Sequence, residues 1–237
     1  MASFVKGLEL DKEDFSGKLI AIEEADNVDG CFCSSCLIWQ CLSRPDSCLM
    51  LVALHRPFSH YYHVGMKLGY NLASQSERAA ILEMGKSQAE LSAGEDESLK
   101  KLVVDLRERI KSFAEYKRIY IFVDNLSSLL FLGYSVRQVK IFVHYLRTLL
   151  SDKVTVVLSA QTDAEDEDEL ELASLLRHIA DLQLRVAPLS TGSSQAVSGS
   201  IELRKKDHAK VESWTKSELY HYKLSERNVR VFRPGNV

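Results

Sequence analysis

The sequence predicts an α/β protein with a mostly parallel central sheet, flanking helices and antiparallel strands at its C-terminal end. Ile119–Val123 is an unbroken apolar run without polar alternation, which is typical of a strand buried on both faces. Similar runs alternate with amphipathic helical patterns along the chain, and this order favours parallel strands joined by helical crossovers. The C-terminal part instead alternates apolar and polar residues, as antiparallel strands at a sheet edge do.

Length and charge limit the possible classes of protein. The 237 residues fit one domain, because single cores grow to roughly 250–300 residues. We assign its core to about residues 17–187 and a C-terminal β-hairpin extension to about residues 198–237. The net charge of −3 gives no general attraction to nucleic acid or membranes. Without a membrane-spanning run or a signal-peptide pattern, we expect an intracellular protein with reduced cysteines.

The individual elements follow from these patterns in chain order. Strands are predicted at Lys18–Ile22, Cys48–Leu54, Ala79–Met84, Ile119–Val123, Lys153–Ser159 and Asp181–Val186. Helices are predicted at Cys31–Leu42, Ser59–Leu68, Leu99–Phe113, Val136–Leu150 and Leu170–Ala180, with Ser59 and Ser135 as N-caps. After a flexible link, tail strands are predicted at Ser200–Arg204, Glu218–Leu224 and Asn228–Phe232, the last two forming a hairpin.

The five cysteines lie close together between Cys31 and Cys48. The spacing of Cys33 and Cys36 is compatible with zinc or redox chemistry. On the predicted helix, however, neighbouring thiols point to different faces, and no second pair of ligands lies at finger-like spacing. We interpret the cysteines as small core residues and predict no metal site.

Asp124 is the first candidate site residue because it follows the buried Ile119–Val123 strand directly. Open α/β sheets bind ligands at the carboxyl ends of their strands. In phosphate-handling proteins an acid at this position, the Walker B position, holds a magnesium ion. Asp124 therefore raises the question of whether a phosphate-binding loop accompanies it.

The loop from Glu23 to Gly30 has the strand–loop–helix context of a phosphate-binding loop but not its chemistry. It contains one glycine, no lysine or arginine, and four acids that would repel a triphosphate: Glu23, Glu24, Asp26 and Asp29. We therefore predict a degenerate nucleotide site at Asp29, Gly30 and Asp124.

The segment after the second strand is rich in histidine and tyrosine. Its three histidines, with Ser59, have no neighbouring carboxylate in the sequence to orient them for catalysis, and no glycine-flanked nucleophile is present. A packing or interface role is favoured. The candidate subunit-interface residues are Phe58, Ser59, His60, Tyr61 and Tyr62.

Two charged stretches remain. The acidic run Asp163–Glu171 is either a solvated loop and helix start or a surface for a basic partner. Arg204, Lys205 and Lys206 lie in a basic patch on a predicted hairpin turn. They are candidate contacts to RNA phosphates, although solvated turn charges are the favoured explanation, because charge runs usually mark exposed faces.

Four segments in the same order resemble the Elongator complex subunit 6 family. The longest contains Val-Ala-Leu, Phe-Ser-His-Tyr and Lys-Leu-Gly within Leu51–Gly69. The other three are Phe122–Gly133, Phe142–Arg147 and Asp163–Glu167. The general layout, with a parallel sheet, a strand-end Asp124 and closing antiparallel strands, resembles the RecA-like ATPase core.

This resemblance implies a RecA-like fold without working Walker motifs, and therefore a pseudo-ATPase that needs no cofactor. It implies assembly with Elongator subunits 4 and 5 into a heterohexameric ring, which associates with the catalytic Elongator subcomplex. That ring binds tRNA and supports modification of the wobble uridine, while the chemistry belongs to another subunit. Arg204, Lys205 and Lys206 are our candidate tRNA contacts in this ring. The implied location is cytoplasmic and also nuclear, with no membrane partner.

Two alternatives stay open. One is a RecA-like ATPase with a non-standard phosphate loop that uses Asp124 for magnesium. The other is a stand-alone RNA-binding module, which the net acidic charge and the lack of interleaved aromatic and basic residues disfavour.

Overall fold

The protein folds around one large sheet with helices on both sides. The computed structural model describes residues 2–26, 28–83, 96–189, 192, 194–206 and 214–235. Its strands are β1 (Leu19–Ala25), β2 (Ser47–Ala53), β3 (Ala79–Glu83), β4 (Arg118–Asp124), β5 (Val154–Thr162), β6 (Leu182–Ala187), β7 (Gly199–Lys206), β8 (Trp214–Ser225) and β9 (Asn228–Phe232). Its helices are α1 (Ala2–Gly7), α2 (Cys31–Leu42), α3 (Phe58–Leu68), α4 (Asp96–Ser112), α5 (Ser127–Phe131), α6 (Val136–Arg147) and α7 (Glu167–Ile179).

The strand order within the described residues is β3-β2-β4-β5-β1-β6-β7-β8-β9. The strands β1 to β6 run parallel, and β6 to β9 pair antiparallel. The predicted mostly parallel sheet with antiparallel C-terminal strands is therefore confirmed. Strands β7, β8 and β9 continue the sheet of the core without a break in pairing.

Alternating side chains along each strand divide the core into two layers. On β1, Ile20 and Ile22 face the layer that holds α1, α2 and α3, whereas Leu19 and Ala21 face the layer that holds α4 to α7. This alternation follows from the two-residue period of a strand. The predicted cysteine-rich helix is α2, and its Cys33, Cys36 and Cys41 are fully buried in the first layer.

Strand β1 is longer than the sequence analysis predicted. The predicted strand ended at Ile22, and Glu23 and Glu24 were assigned to a loop. Both residues instead continue β1 and are buried, with 3% and 6% of their surfaces exposed. That assignment was wrong because two adjacent carboxylates suggest solvent, whereas here each one finds partners on its own face of the sheet.

Helices α1 and α5 were not predicted, and helices α3, α4 and α7 begin at other residues than predicted. Helix α1 was not predicted; it packs on β9, where the Ser3 hydroxyl donates to the carbonyl of Val229. Helix α3 begins at Phe58 after Pro57, so the predicted N-cap Ser59 lies inside the helix and is exposed. No helix in the described part of the chain combines the length and apolar character needed to cross a membrane.

Helix α3 contains a glycine that packing requires. A Cβ added at Gly65 would lie 2.6 Å from Cε2 of Tyr70, whose ring is buried. The chain turns back after Gly69, which has a φ of 91° that glycine adopts without strain. Tyr70 can therefore fold back onto α3 only because position 65 has no side chain.

We expect Gly65→Ala to lower the free energy of unfolding by about 1–3 kcal/mol through overpacking against Tyr70. In a Tyr70→Ala background, the same substitution should raise stability by about 0.5–1 kcal/mol, because alanine is the better helix former. Urea unfolding of the four variants measures both values, with the exposed Ser59→Ala as a control. Equal losses of unfolding free energy in both backgrounds would show that Tyr70 is not the reason for the glycine at position 65.

Candidate functional site

The candidate site lies at the carboxyl ends of β1, β2 and β4, on the face of the sheet that carries α2 and α3. Asp124 is the last residue of β4 and is paired with Ala53 of β2. Only 6% of its surface is exposed. Because β2 ends beside it, the segment that follows β2 begins at the level of the Asp124 carboxylate.

Four donors of the chain itself surround that carboxylate. The backbone N–H groups of Leu54 and His55 donate to Oδ1, the latter at 3.0 Å, and that of Arg56 donates to Oδ2 at 3.1 Å. The Tyr61 hydroxyl donates to Oδ2 at 2.6 Å. A carboxylate offers about four lone-pair positions. The carboxylate at the Walker B position is thus saturated by hydrogen bonds within the chain.

The loop after β1 lies beside Asp124 and is also held by contacts within the chain. Asp29 accepts the Cys31 N–H at 2.9 Å at the start of α2 and pairs with Arg56 at 2.8 Å. A Cβ at Gly30 would lie 2.9 Å from Cγ of Glu24. The Glu24 side chain therefore packs against the loop at the position where a phosphate-binding loop would present its N–H groups.

The environment of Glu24 disfavours its charge. Burial and the neighbouring Asp29 carboxylate raise the pKa of Glu24 to about 7, although a hydrogen bond from the Gly30 N–H opposes the rise. Burial also raises the pKa of the Cys31 thiol to about 12, so this cysteine is not a thiolate. The Cys31 sulfur is therefore not a nucleophile at neutral pH.

The three predicted members of the degenerate nucleotide site are therefore neighbours. The cavity between Glu24, Arg56 and Asp124 has a volume of only about 10 Å³, which is room for about one water molecule. A phosphate group does not fit there unless the segment around Arg56 moves. The described residues contain no cluster of three or more side chains suited to hold a metal ion.

The five candidate interface residues differ in how far they are buried. Tyr61 is buried against Asp124, where burial and that carboxylate raise the pKa of its hydroxyl. His60 is half-buried, with Nε2 3.4 Å from the Cys31 sulfur, and burial with the Arg56 charge lowers its pKa. Ser59 is exposed, Tyr62 is half-buried, and Phe58 is half-buried against the core. Tyr61 thus contributes no surface.

The candidate tRNA contacts lie on strand β7 rather than on a turn, and each has a partner. Arg204 pairs with Glu202 at 2.8 Å, Lys205 pairs with Glu13 at 2.6 Å, and the Lys206 ammonium donates to the carbonyl of His178 at 3.3 Å. The rest of the predicted basic patch, residues 207–210, lies outside the described residues.

Sequence reasoning missed the roles of Tyr61 and Glu24. Tyr61 lies 63 positions before Asp124, and no local spacing signals such a contact. A signal for Glu24 did exist, because strand alternation places consecutive residues of β1 on opposite faces. Extending the strand by two residues would have placed Glu24 on the α2 face.

The fold is that of RecA-like proteins. A KaiC-like protein of Pyrococcus horikoshii superposes with a TM-score of 0.63 at 10% identity, covering 92% of this chain and 90% of that chain. The flagellar accessory protein FlaH of Methanocaldococcus jannaschii gives a TM-score of 0.63 at 16% identity, covering 94% and 95%. At such identities the likeness concerns the fold alone.

Sequence comparison defines the family. Residues 7–226 match the family described as Elongation complex protein 6. Elongator complex protein 6 of Drosophila melanogaster is 27% identical over 231 residues, covering 92% of this chain and 91% of the relative. The Homo sapiens protein of the same name is 32% identical over 213 residues, covering 78% and 79%. The chain belongs to the Elongator complex protein 6 family, as the resemblance of its four segments indicated.

We expect Asp124→Ala to lower the free energy of unfolding by about 3 kcal/mol or more, because it leaves one buried and three partly buried donors without an acceptor. Tyr61→Phe removes one donor and should cost about 1–2 kcal/mol. Urea unfolding measures both, with the exposed Asp105→Ala on α4 as a matched control. A loss for Asp124→Ala no larger than that of the control would contradict the anchoring role.

Glu24 should make stability depend on pH. Its pKa is about 7 in the folded protein and near 4.5 when unfolded, so the folded state binds the proton more tightly. Stability should therefore fall as pH rises from about 4.5 to about 7 and change little above that.

Glu24→Gln should remove this dependence and exceed the wild type in stability at pH 7.5 by up to about 3 kcal/mol. Urea unfolding between pH 5 and pH 8 measures the difference, and the exposed Glu115→Gln serves as the control. Parallel stability curves for Glu24→Gln and the wild type would refute the raised pKa.

Proposed function

We propose that this chain is a non-catalytic, RecA-like subunit of the Elongator complex, a pseudo-ATPase whose role is assembly. The observation that carries this proposal is the saturated Asp124 carboxylate. Magnesium binding at that position requires free carboxylate lone pairs, and here those lone pairs accept four hydrogen bonds. The Glu24 side chain beside Gly30 supports the same conclusion, since it fills space where phosphates would lie.

We further propose that the chain assembles with Elongator subunits 4 and 5 into a heterohexameric ring. In this proposal the ring binds tRNA and supports modification of the wobble uridine by the catalytic subcomplex, in the cytoplasm and also in the nucleus. The membership of the Elongator complex protein 6 family supports this assignment. The outer side of α3, with Tyr62 and the half-exposed Met66, offers apolar and aromatic surface suited to a subunit contact.

The first experiment measures mass by light scattering for the chain alone and for its mixture with subunits 4 and 5. A ring-sized species should form only in the mixture. Tyr62→Ala should weaken that assembly by about tenfold or more if α3 lies in the contact. Tyr145→Ala, an exposed tyrosine on α6, is the matched control on the other face of the sheet. A mass that does not change when both subunits are added would overturn the proposed assembly.

The ATPase alternative makes a different prediction. It requires the chain to bind nucleotide with magnesium and to lose that binding in Asp124→Asn. We expect no magnesium-dependent ATP binding at millimolar nucleotide by calorimetry. Binding that Asp124→Asn abolishes would replace the pseudo-ATPase proposal.

A stand-alone RNA-binding role is tested by titrating tRNA against the chain alone. That role predicts binding that falls steeply with salt. We expect tRNA binding to require the assembled ring, because Arg204, Lys205 and Lys206 are each engaged within the chain.

A further inference from the structure

A second cavity lies on the opposite face of the sheet from Asp124, at the carboxyl ends of β1 and β5. Its volume is about 290 Å³, far more than the space beside Asp124. The charged and polar side chains around it are Glu23, Asp26, Thr162, Arg177, Arg185, Glu202 and Arg204. The proposed function makes no use of this cavity.

A buried carboxylate fixes two of these arginines. Glu23 is 3% exposed, and its Oε1 accepts from Nε of Arg185 at 3.1 Å. Nε of Arg177 lies 3.2 Å from Oε2, which also accepts from Gln183 at 2.6 Å. One negative charge thus holds two positive charges in place, and the group as a whole carries one excess positive charge.

Some hydrogen-bond donors of the residues that line the cavity have no acceptor within the described residues. Both arginines approach Glu23 through Nε, Arg185 in a hydrogen bond and Arg177 in an ion pair. Their terminal amino groups make no hydrogen bonds to the residues that the structure describes. Thr162 also lines the cavity, and its hydroxyl is buried and has no hydrogen-bond partner within the same described part of the chain. Free guanidinium N–H groups and a free hydroxyl are groups that bind an oxyanion.

With Glu202, Arg204 and Asp26 included, the three carboxylates and three guanidinium groups of the lining balance in charge, so binding depends on the donors that have no acceptor. Glu202 is already paired with Arg204 and accepts from the Ser217 hydroxyl. Asp26 is exposed, at a backbone φ of 54° just beyond β1. The donors without an acceptor therefore come from Arg177, Arg185 and Thr162, and these three residues line one cavity.

We propose that this cavity binds the phosphate group of a small phosphorylated ligand, such as a nucleoside monophosphate. Arg177 and Arg185 supply the charge-assisted hydrogen bonds through their terminal nitrogens, and Thr162 supplies a hydroxyl donor. Arginine forks match phosphate oxygens in geometry, and a phosphate carries more charge for them than a carboxylate does. The cavity is large enough for the rest of such a ligand, and the binding needs no magnesium.

The test is isothermal calorimetry on the intact chain at low salt, without magnesium. The probes are inorganic phosphate, pyrophosphate and adenosine monophosphate, with acetate as the carboxylate comparison. We expect the phosphates to bind with a Kd on the order of 1 mM or tighter, and acetate to bind at least about tenfold more weakly. Stronger binding of adenosine monophosphate than of phosphate would identify a nucleotide as the source. Acetate binding as tight as phosphate binding would overturn the proposal.

Two variants test the residues. Arg185→Gln should weaken phosphate binding about tenfold, as expected for the loss of a charge-assisted contact, and Arg147→Gln on the exposed side of α6 is the matched control. Arg185→Gln also alters the surroundings of the buried Glu23, so a second variant avoids that complication. Thr162→Val should leave the melting temperature unchanged or higher, because the lost hydroxyl had no partner, while phosphate binding weakens severalfold.

The outcomes separate this proposal from the proposed function. Phosphate binding that survives Asp124→Asn but falls in Thr162→Val and Arg185→Gln supports the cavity and leaves the pseudo-ATPase proposal intact. Binding that only Asp124→Asn abolishes would overturn both. If phosphate does not bind, or if Thr162→Val and Arg185→Gln bind it as the wild type does, the cavity proposal fails, whereas ring assembly is unaffected.

Discussion

The arrangement around the candidate site depends on the buried carboxylate of Asp124. It accepts three consecutive backbone N–H groups after β2 and the hydroxyl of Tyr61. These bonds fix the course of the chain between β2 and α3, and they place Arg56 within reach of Asp29 at the start of α2. The Asp124 side chain thus helps to hold the β1–α2, β2–α3 and β4–α5 connections together at the same edge of the sheet. A residue type that elsewhere serves magnesium chemistry here serves as a structural acceptor.

The position of β1 in the middle of the sheet creates two different environments from two adjacent glutamates. Glu24 lies on the side of α2, where the space is nearly filled and its carboxyl group is surrounded by other acids. Glu23 lies on the side of α7, where two arginines and an open cavity surround it. Because consecutive side chains of a strand point to opposite faces, Glu24 enters the filled space and Glu23 borders the open cavity.

The sequence predicted the fold well wherever the signal was local. Ile119–Val123 identified β4 because an apolar run buried on both faces needs no distant information, and Asp124 was found as a strand-end acid for the same reason. The failures concern residues whose environment lies far away in the chain. Glu23 and Glu24 suggested solvent because Arg177, Arg185 and the packing against Gly30 are set by tertiary structure. The saturation of Asp124 also depends on Tyr61, which no helix or strand pattern associates with it.

The pairing of β1 has a consequence for how the chain folds during synthesis. Although β1 comes first among the strands, its neighbours within the described sheet are β5 and β6, which begin at Val154 and Leu182. Strands β2, β3 and β4 pair among themselves and can associate earlier. Contacts between such distant segments form slowly, so we expect the nascent chain to hold β1 unpaired until most of the domain has left the ribosome. Over that interval an apolar strand is exposed, which is the period when assistance from chaperones matters most.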